Sequence, residues 1–231
     1  MPTDNVFFEI TRPALEVEDD HRLFGVRRIY CVGRNYVSHI REMQEGDERD
    51  LPFFFQKPTD AIAINGSTIA YPPATKDFQF EAELVVAIGS AGRAIAIENA
   101  LDHVFGYAVG IDLTRRDQQF EARDHRRPWE GGKSFDQSAP CGRLRKAQKG
   151  HIESGQIALF VNGEQRQASD LNLMIWNVPE IISNLSTQYE LMPGDLIFTG
   201  TPAGVGPVIP GDKILVTVDG LDDLAVTIGN N

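Results

Sequence analysis

Apolar and polar positions alternate along this chain in short stretches whose period changes often, which is the pattern of strands joined by turns. Segments rich in Val, Ile, Phe and Ala cover 27–32, 52–56, 66–70, 80–88, 104–113, 156–161, 195–199, 213–219 and 224–228, most of them flanked by Gly, Pro, Asp or Asn. From Phe78 to Gly89 (FQFEAELVVAIG) the chain alternates and then turns wholly apolar, as a strand does on entering a core. Predicted helices are few and short: 35–43 with Asn35 as its cap, 98–103, 115–123, and 179–188, where Ile181, Ile182 and Leu185 form one stripe behind Pro179. Thr114 and Asp117 have the spacing of a capping box for the third of these. Strands and helices do not alternate regularly, so the expected class is α+β, mainly β, and not a doubly wound α/β sheet.

The division expected is a lead-in segment over 1–26, with a polar break at Asp19-Asp20, followed by one domain over 27–231. No apolar run approaches the roughly 20 residues that cross a bilayer, and the N-terminus lacks a secretory pattern, so a cytoplasmic protein is expected. A net charge of −11 argues against a nucleic-acid partner. Against that background Arg115, Arg116, Arg123, Arg126, Arg127 and Lys133 crowd one segment, a local reversal that suits a small anionic substrate. Cys31 and Cys141 lack the spacing of a zinc or redox site and read as buried apolar residues.

Candidate chemistry centres on three acids. Glu81 and Glu83 share a strand face at period two, and Asp112 closes the next apolar run, giving three oxygen donors of the kind a hard divalent ion takes. The same spacing also fits solvent-facing residues of an amphipathic strand. His39 and Glu42 stand three apart on a helix face, so the carboxylate can fix the imidazole tautomer and make it a general base for water; a surface pair fits that pattern equally. Arg116 and Gln119 project from one side of the helix after Asp112, and Lys133 follows Gly131-Gly132, which permit close backbone approach to a ligand. The stretch 199–207 (TGTPAGVGP) is no phosphate loop, but its N–H groups can receive a carboxylate. A charged loop over 44–50 follows the His39 helix and reads as mobile.

From about Val26 to Gly220 the chain resembles the fumarylacetoacetate hydrolase family, on the motifs YCVGRNYVSHIREM (30–43), FQKP (55–58), FEAEL (80–84), GIDLTRRDQQ (110–119), PWEGGKSFDQSAP (128–140), VNGE (161–164) and DLIFTGTPAGVG (195–206). The resemblance implies a mixed β-sandwich roll assembled as a homodimer with one metal per subunit. It implies Glu81, Glu83 and Asp112 as ligands of Mg²⁺, with Mn²⁺ or Ca²⁺ as substitutes. It implies His39 and Glu42 as the water-activating dyad, Lys133, Arg116 and Gln119 as oxyanion and substrate donors, and Thr201 lining the site. Arg34 and Lys57 sit in matching motifs with less defined roles. Long eukaryotic members carry a further aspartate ligand; here that stretch reads Gly33-Arg34-Asn35, so water would fill the place. The RRIYCVGRNY, PFFFQKP and RPWE wording resembles the branch that hydrolyses fumarylpyruvate to fumarate and pyruvate in gentisate-type aromatic degradation. In the implied reaction His39 takes a proton from water, which adds to the distal carbonyl of a 2,4-dioxo acid. The competing activities are decarboxylation or tautomerisation of oxaloacetate, isomerisation of hydroxymuconate-type acids, and metal-dependent acid binding without catalysis.

Overall fold

The computed structural model describes residues 7–8, 11–43 and 50–230. It is mainly β, as expected; among the described residues the strands form five sheets, of which two are large. The larger has six strands in the order Arg145–Lys146, Val104–Ile111, Ala82–Ile88, Asp195–Phe198, Arg28–Gly33 and Phe53–Lys57. All its neighbours are antiparallel except Asp195–Phe198 and Arg28–Gly33. The second has five strands: Glu164–Asp170, Gln156–Val161, Lys213–Val218, Leu224–Gly229 and Thr68–Ala70.

Burial explains the apolar runs. Every residue of Ala82–Ile88 is buried because both faces of the six-stranded sheet are covered. Leu84, Val86 and Ile88 meet Leu159, Ile214 and Val216 of the second sheet in one core, whereas Val85 and Ala87 face a second core with Leu15, Val17, Cys31, Ala108 and Phe198. The segment read as a lead-in contributes to that second core through a hairpin, Ala14–Val17 with Asp20–Gly25; Asp19, at φ 54, makes its turn. What reads as a polar break is thus a hairpin turn. A further strand without a hydrophobic signal is Glu164–Asp170, whose residues are mostly exposed. Burial pushes the Cys141 thiol up to about 12 and raises Cys31 as well, consistent with packing and not reactivity.

Among the described residues four α-helices, α1 Val37–Met43, α2 Arg116–Asp124, α3 Glu130–Lys133 and α4 Val178–Gln188, accompany short 3-10 turns, one of which, Ile97–His103, replaces an expected α-helix. The expected caps differ. Asn35 does not cap α1: its amide donates to the carbonyls of Trp176 (2.9 Å) and Thr199 (2.7 Å), tying the α1 entrance to distant loops. Thr114 does not cap α2, and Asp117 instead accepts from Thr75 Oγ1 (2.6 Å) and the Lys76 N–H. The capping box belongs to Asn177 and Glu180 at the start of α4. Among the described residues no helix is long and apolar enough to cross a membrane. The loop expected over 44–50 lies outside the described residues except for Asp50.

Candidate metal centre and active site

The three acids converge at a break in a strand. The run expected to be continuous from Phe80 is interrupted at Glu81: Phe78–Phe80 pairs with Thr114–Arg115 and Gly206–Pro207, whereas Ala82–Ile88 pairs with Val104–Ile111. Ala82 lies opposite Ile111, so Glu81 comes opposite Asp112, and the Asp112 N–H donates to the Glu81 carbonyl at 2.8 Å. One carboxylate oxygen from each of Glu81, Glu83 and Asp112 falls within 4.8 Å of the others, and all three residues are buried.

Three cations face these three acids. Lys133 Nζ lies 2.8 Å from both Glu81 Oε2 and Asp112 Oδ2 and 2.7 Å from Thr114 Oγ1, which commits all the hydrogens of its ammonium. Arg116 donates to Glu81 Oε1 (2.5 Å), Gln79 Oε1 (2.9 Å) and Gln119 Oε1 (2.5 Å). Gln119 therefore spends its carbonyl on Arg116, and its amide nitrogen is the end with hydrogens to give. Lys57 Nζ pairs with Asp112 Oδ1 at 2.9 Å while donating to the carbonyls of Leu113 and Lys133. Burial alone would raise the Glu81 carboxyl, but Lys133 and Arg116 outweigh it and hold it well below the usual range. Glu83 accepts the Gly200 N–H at 2.8 Å, and burial together with the charges of Asp112 and Glu81 pushes its carboxyl well above the usual range.

This donor set fits a divalent cation. All its ligating atoms are anionic oxygens, and Asp112 Oδ1 is buried without an aligned hydrogen bond, leaving a lone pair for coordination. With carboxylates and cations balanced three against three, a divalent ion would give the cluster a net positive charge, which an anionic ligand then offsets.

The dyad comes from another direction. His39 is buried on α1, with Nδ1 3.2 Å from Glu42 Oε2, and Glu42 Oε1 accepts the Gly204 N–H at 3.0 Å. Burial opposes ionisation of Glu42, yet its bonds to His39 and Gly204 prevail and hold its carboxyl below the ordinary range. An ionised Glu42 makes Nδ1 the donor, so Nε2 carries the basic lone pair. The carboxylates received by the 199–207 stretch are thus Glu83 and Glu42, from the protein itself.

One cavity is lined by His39, Glu81, Glu83 and Asp112, and equally by Arg34, Arg116, Gln119, Lys133 and Thr201. Glu42 reaches it through His39. Arg34 holds φ 60, a strained backbone for a non-glycine residue at the cavity wall. Gly132 serves packing and not ligand approach: a Cβ there would lie 2.8 Å from the Gln119 N, so only glycine lets α3 rest on α2 and bring Lys133 inward. Of the other basic residues, Arg115 stacks on Phe135 and Arg123 on Phe120.

Residues without a local sequence signal complete the site. Lys57, 3% exposed, underpins Asp112 from the FQKP segment, and the aromatic rings of Phe55 and Trp129 line the cavity. Lys57→Met removes one partner of a buried ion pair and should destabilise the metal-free protein by about 3–5 kcal/mol. Thermal unfolding in chelator checks this; an unchanged midpoint would show that Lys57 does not balance Asp112.

The model for the fumarylacetoacetate (FAA) hydrolase C-terminal family matches residues 28–229. The chain is 46% identical over 177 residues, 77% of its length and 92% of the relative's, to a fumarylpyruvate hydrolase of a Ralstonia species. It is 41% identical over 196 residues, 84% of its length and 88% of the relative's, to a mitochondrial oxaloacetate tautomerase of Homo sapiens. The crystal structure of fumarylpyruvate hydrolase from Pseudomonas aeruginosa, in complex with Mn²⁺ and pyruvate, superimposes with a TM-score of 0.96 at 48% identity, covering 98% of this chain and all of that one. With nearly its whole length matched by the family model and by relatives well above 30% identity, the chain belongs to the fumarylacetoacetate hydrolase family.

Proposed function

We propose that this protein is a divalent-metal-dependent hydrolase that cleaves the carbon–carbon bond of an acylpyruvate, with fumarylpyruvate as substrate and fumarate and pyruvate as products. The observation that carries the reading is the meeting of a buried three-carboxylate cluster and a hydrogen-bonded His–Glu pair in one cavity. The fumarylpyruvate hydrolases of Ralstonia and Pseudomonas aeruginosa, at 46% and 48% identity, support the substrate.

Glu81, Glu83 and Asp112 would hold the ion, proposed as Mg²⁺ with Mn²⁺ as substitute, and it would supply Lewis-acid polarisation of a 2-oxo acid. His39, oriented by Glu42, removes a proton from water as the oxygen adds to the distal carbonyl. Arg116 holds the Gln119 amide with its hydrogens toward the growing oxyanion, and Lys133, already bonded to Glu81 and Asp112, adds positive charge beside it. Cleavage then leaves the electron pair on the pyruvate carbon, which takes up a proton. Decarboxylation of a 2-oxo diacid requires no attacking water, so the dyad favours hydrolysis over that alternative.

A neighbouring cavity shares Phe55 and Trp129 with the metal cavity and is lined by Arg127, which lies 4.0 Å from Glu121. Arg126 does not line it. A fumaryl arm that extends past Phe55 and Trp129 would bring its distal carboxylate toward Arg127. Arg127→Ala should raise KM for fumarylpyruvate while leaving acetylpyruvate nearly unchanged; equal KM changes for both would remove Arg127 from recognition. The function itself is tested by pyruvate release from fumarylpyruvate, acetylpyruvate and oxaloacetate, with Mg²⁺ and with chelator. Metal-dependent preference for fumarylpyruvate supports the proposal, and preference for oxaloacetate overturns it.

A further inference from the structure

We propose that Gln167 is a positioning residue that fixes the Thr201 hydroxyl as a hydrogen-bond donor to a carboxylate bound in the metal cavity. The inference deepens the proposed function and rests on it, because the ligand concerned is a 2-oxo acid or its mimic.

Gln167 is 1% exposed in a strand, Glu164–Asp170, whose residues on either side of it are exposed. A buried primary amide must find partners for its carbonyl and for both hydrogens. Gln167 Oε1 accepts the Ala82 N–H at 2.9 Å, while Nε2 donates to the Pro202 carbonyl at 2.8 Å and to Thr201 Oγ1 at 2.9 Å. The amide cannot be reversed, because Ala82 N offers only a hydrogen and Pro202 O only lone pairs. One hydrogen of Nε2 goes to Pro202, so the other goes to Thr201. The Thr201 oxygen is thereby an acceptor from Gln167, and its own hydrogen must point elsewhere.

Thr201 is 3% exposed and lines the cavity that contains Glu81, Glu83 and Asp112. A hydroxyl hydrogen turned from Gln167 toward that cavity meets the oxygen of an anionic ligand. The bond to Ala82 gives this arrangement its register, since Ala82 stands between Glu81 and Glu83 where the strand breaks. Gly204 adds to it: at φ +97, a Cβ would lie 2.1 Å from the Arg166 carbonyl oxygen, so the Thr201 loop is seated directly on the Gln167 strand. One side chain therefore links the acidic cluster to the hydroxyl that would orient the ligand beside it.

Calorimetric titration of oxalate into the Mg²⁺-loaded full chain tests this with wild type, Gln167→Glu, Thr201→Val and the double variant. Glutamate has at most one hydrogen to give, whatever its protonation, where Gln167 gives two. Each single variant should weaken oxalate about tenfold, the worth of one hydrogen bond to a charged group. The double variant should be within about twofold of Thr201→Val, because the two act through one bond. Mg²⁺ affinity should not fall, and in turnover KM should rise with kcat nearly constant. A folded Gln167→Glu protein that binds oxalate like wild type overturns the inference, as do independent effects that multiply to about a hundredfold. If Gln167→Glu does not fold, Gln167→Met, which offers no hydrogen, must weaken oxalate likewise, and unchanged binding overturns the inference. Wild type that fails to bind oxalate overturns the proposed function and this inference together, whereas a wild type that binds, beside an unaffected variant, overturns the inference alone.

Discussion

Glu83→Gln is expected to abolish metal binding and turnover while raising the thermal midpoint of the metal-free protein. The two effects share one cause. Burial and the charges of Asp112 and Glu81 raise the Glu83 carboxyl well above its ordinary value, so its ionised form is unfavourable in the folded chain without a metal. The sign follows from linkage: with the folded value above the unfolded one, the native state holds its proton more tightly. Stability is then greatest below the unfolded value of about 4.5 and declines as pH rises toward the folded value. Glutamine keeps the shape and can still accept the Gly200 N–H, but carries no charge. In chelator the variant should melt a few degrees above wild type, at about 2–4 °C per kcal/mol for a chain of this size, and the gap should widen as pH rises. Saturating Mg²⁺ should reverse the order, since only wild type gains binding free energy, about 2.7 kcal/mol at a hundredfold excess over Kd. A variant that binds Mg²⁺ normally would remove Glu83 from the ligand set.

His39→Ala is expected to separate metal from chemistry. His39 touches Glu42 and the cavity, but none of its hydrogen bonds goes to Glu81, Glu83 or Asp112. The variant should bind Mg²⁺ and oxalate with near wild-type affinity and lose about 10²–10⁴-fold in kcat for fumarylpyruvate, the usual contribution of a positioned general base. Glu42→Gln should lose less, because it weakens the orientation of the imidazole without removing it. Calorimetry and single-turnover pyruvate release on the same samples check both. Full activity without His39 would turn the account toward chemistry that uses no attacking water, such as decarboxylation or tautomerisation.

What the sequence made legible follows from which contacts are local. The strands of the six-stranded sheet announce themselves because both faces are buried, so Ala82–Ile88 is apolar throughout. The His39–Glu42 pair is visible because helix geometry brings residues three apart together. Contacts between distant segments leave no such trace. The bond between Glu42 and Gly204 spans 162 positions, and with the Asn35 bond to Thr199 it ties the His39 helix to the loop carrying Thr201. Lys57 appears as a single lysine after a phenylalanine run, yet its ammonium is buried against Asp112. Asn35 and Thr114 have the residue types of helix caps, but their side chains serve longer-range bonds to Thr199 and Lys133. The Glu164–Asp170 strand carries no hydrophobic signal. Its exposed face is polar, and the side chain it turns inward is also polar, so Gln167 removes the hydrophobic alternation that would have marked the strand.

The central claim is that one divalent ion is shared by Glu81, Glu83 and Asp112 beside His39. Anomalous diffraction from crystals grown with Mn²⁺ and pyruvate tests it most directly. The account predicts one strong peak per chain, with an oxygen from each of the three carboxylates at about 2.0–2.4 Å and the His39 ring on the same cavity wall but not coordinated. A peak that omits any of the three acids, or lies elsewhere in the chain, would contradict it.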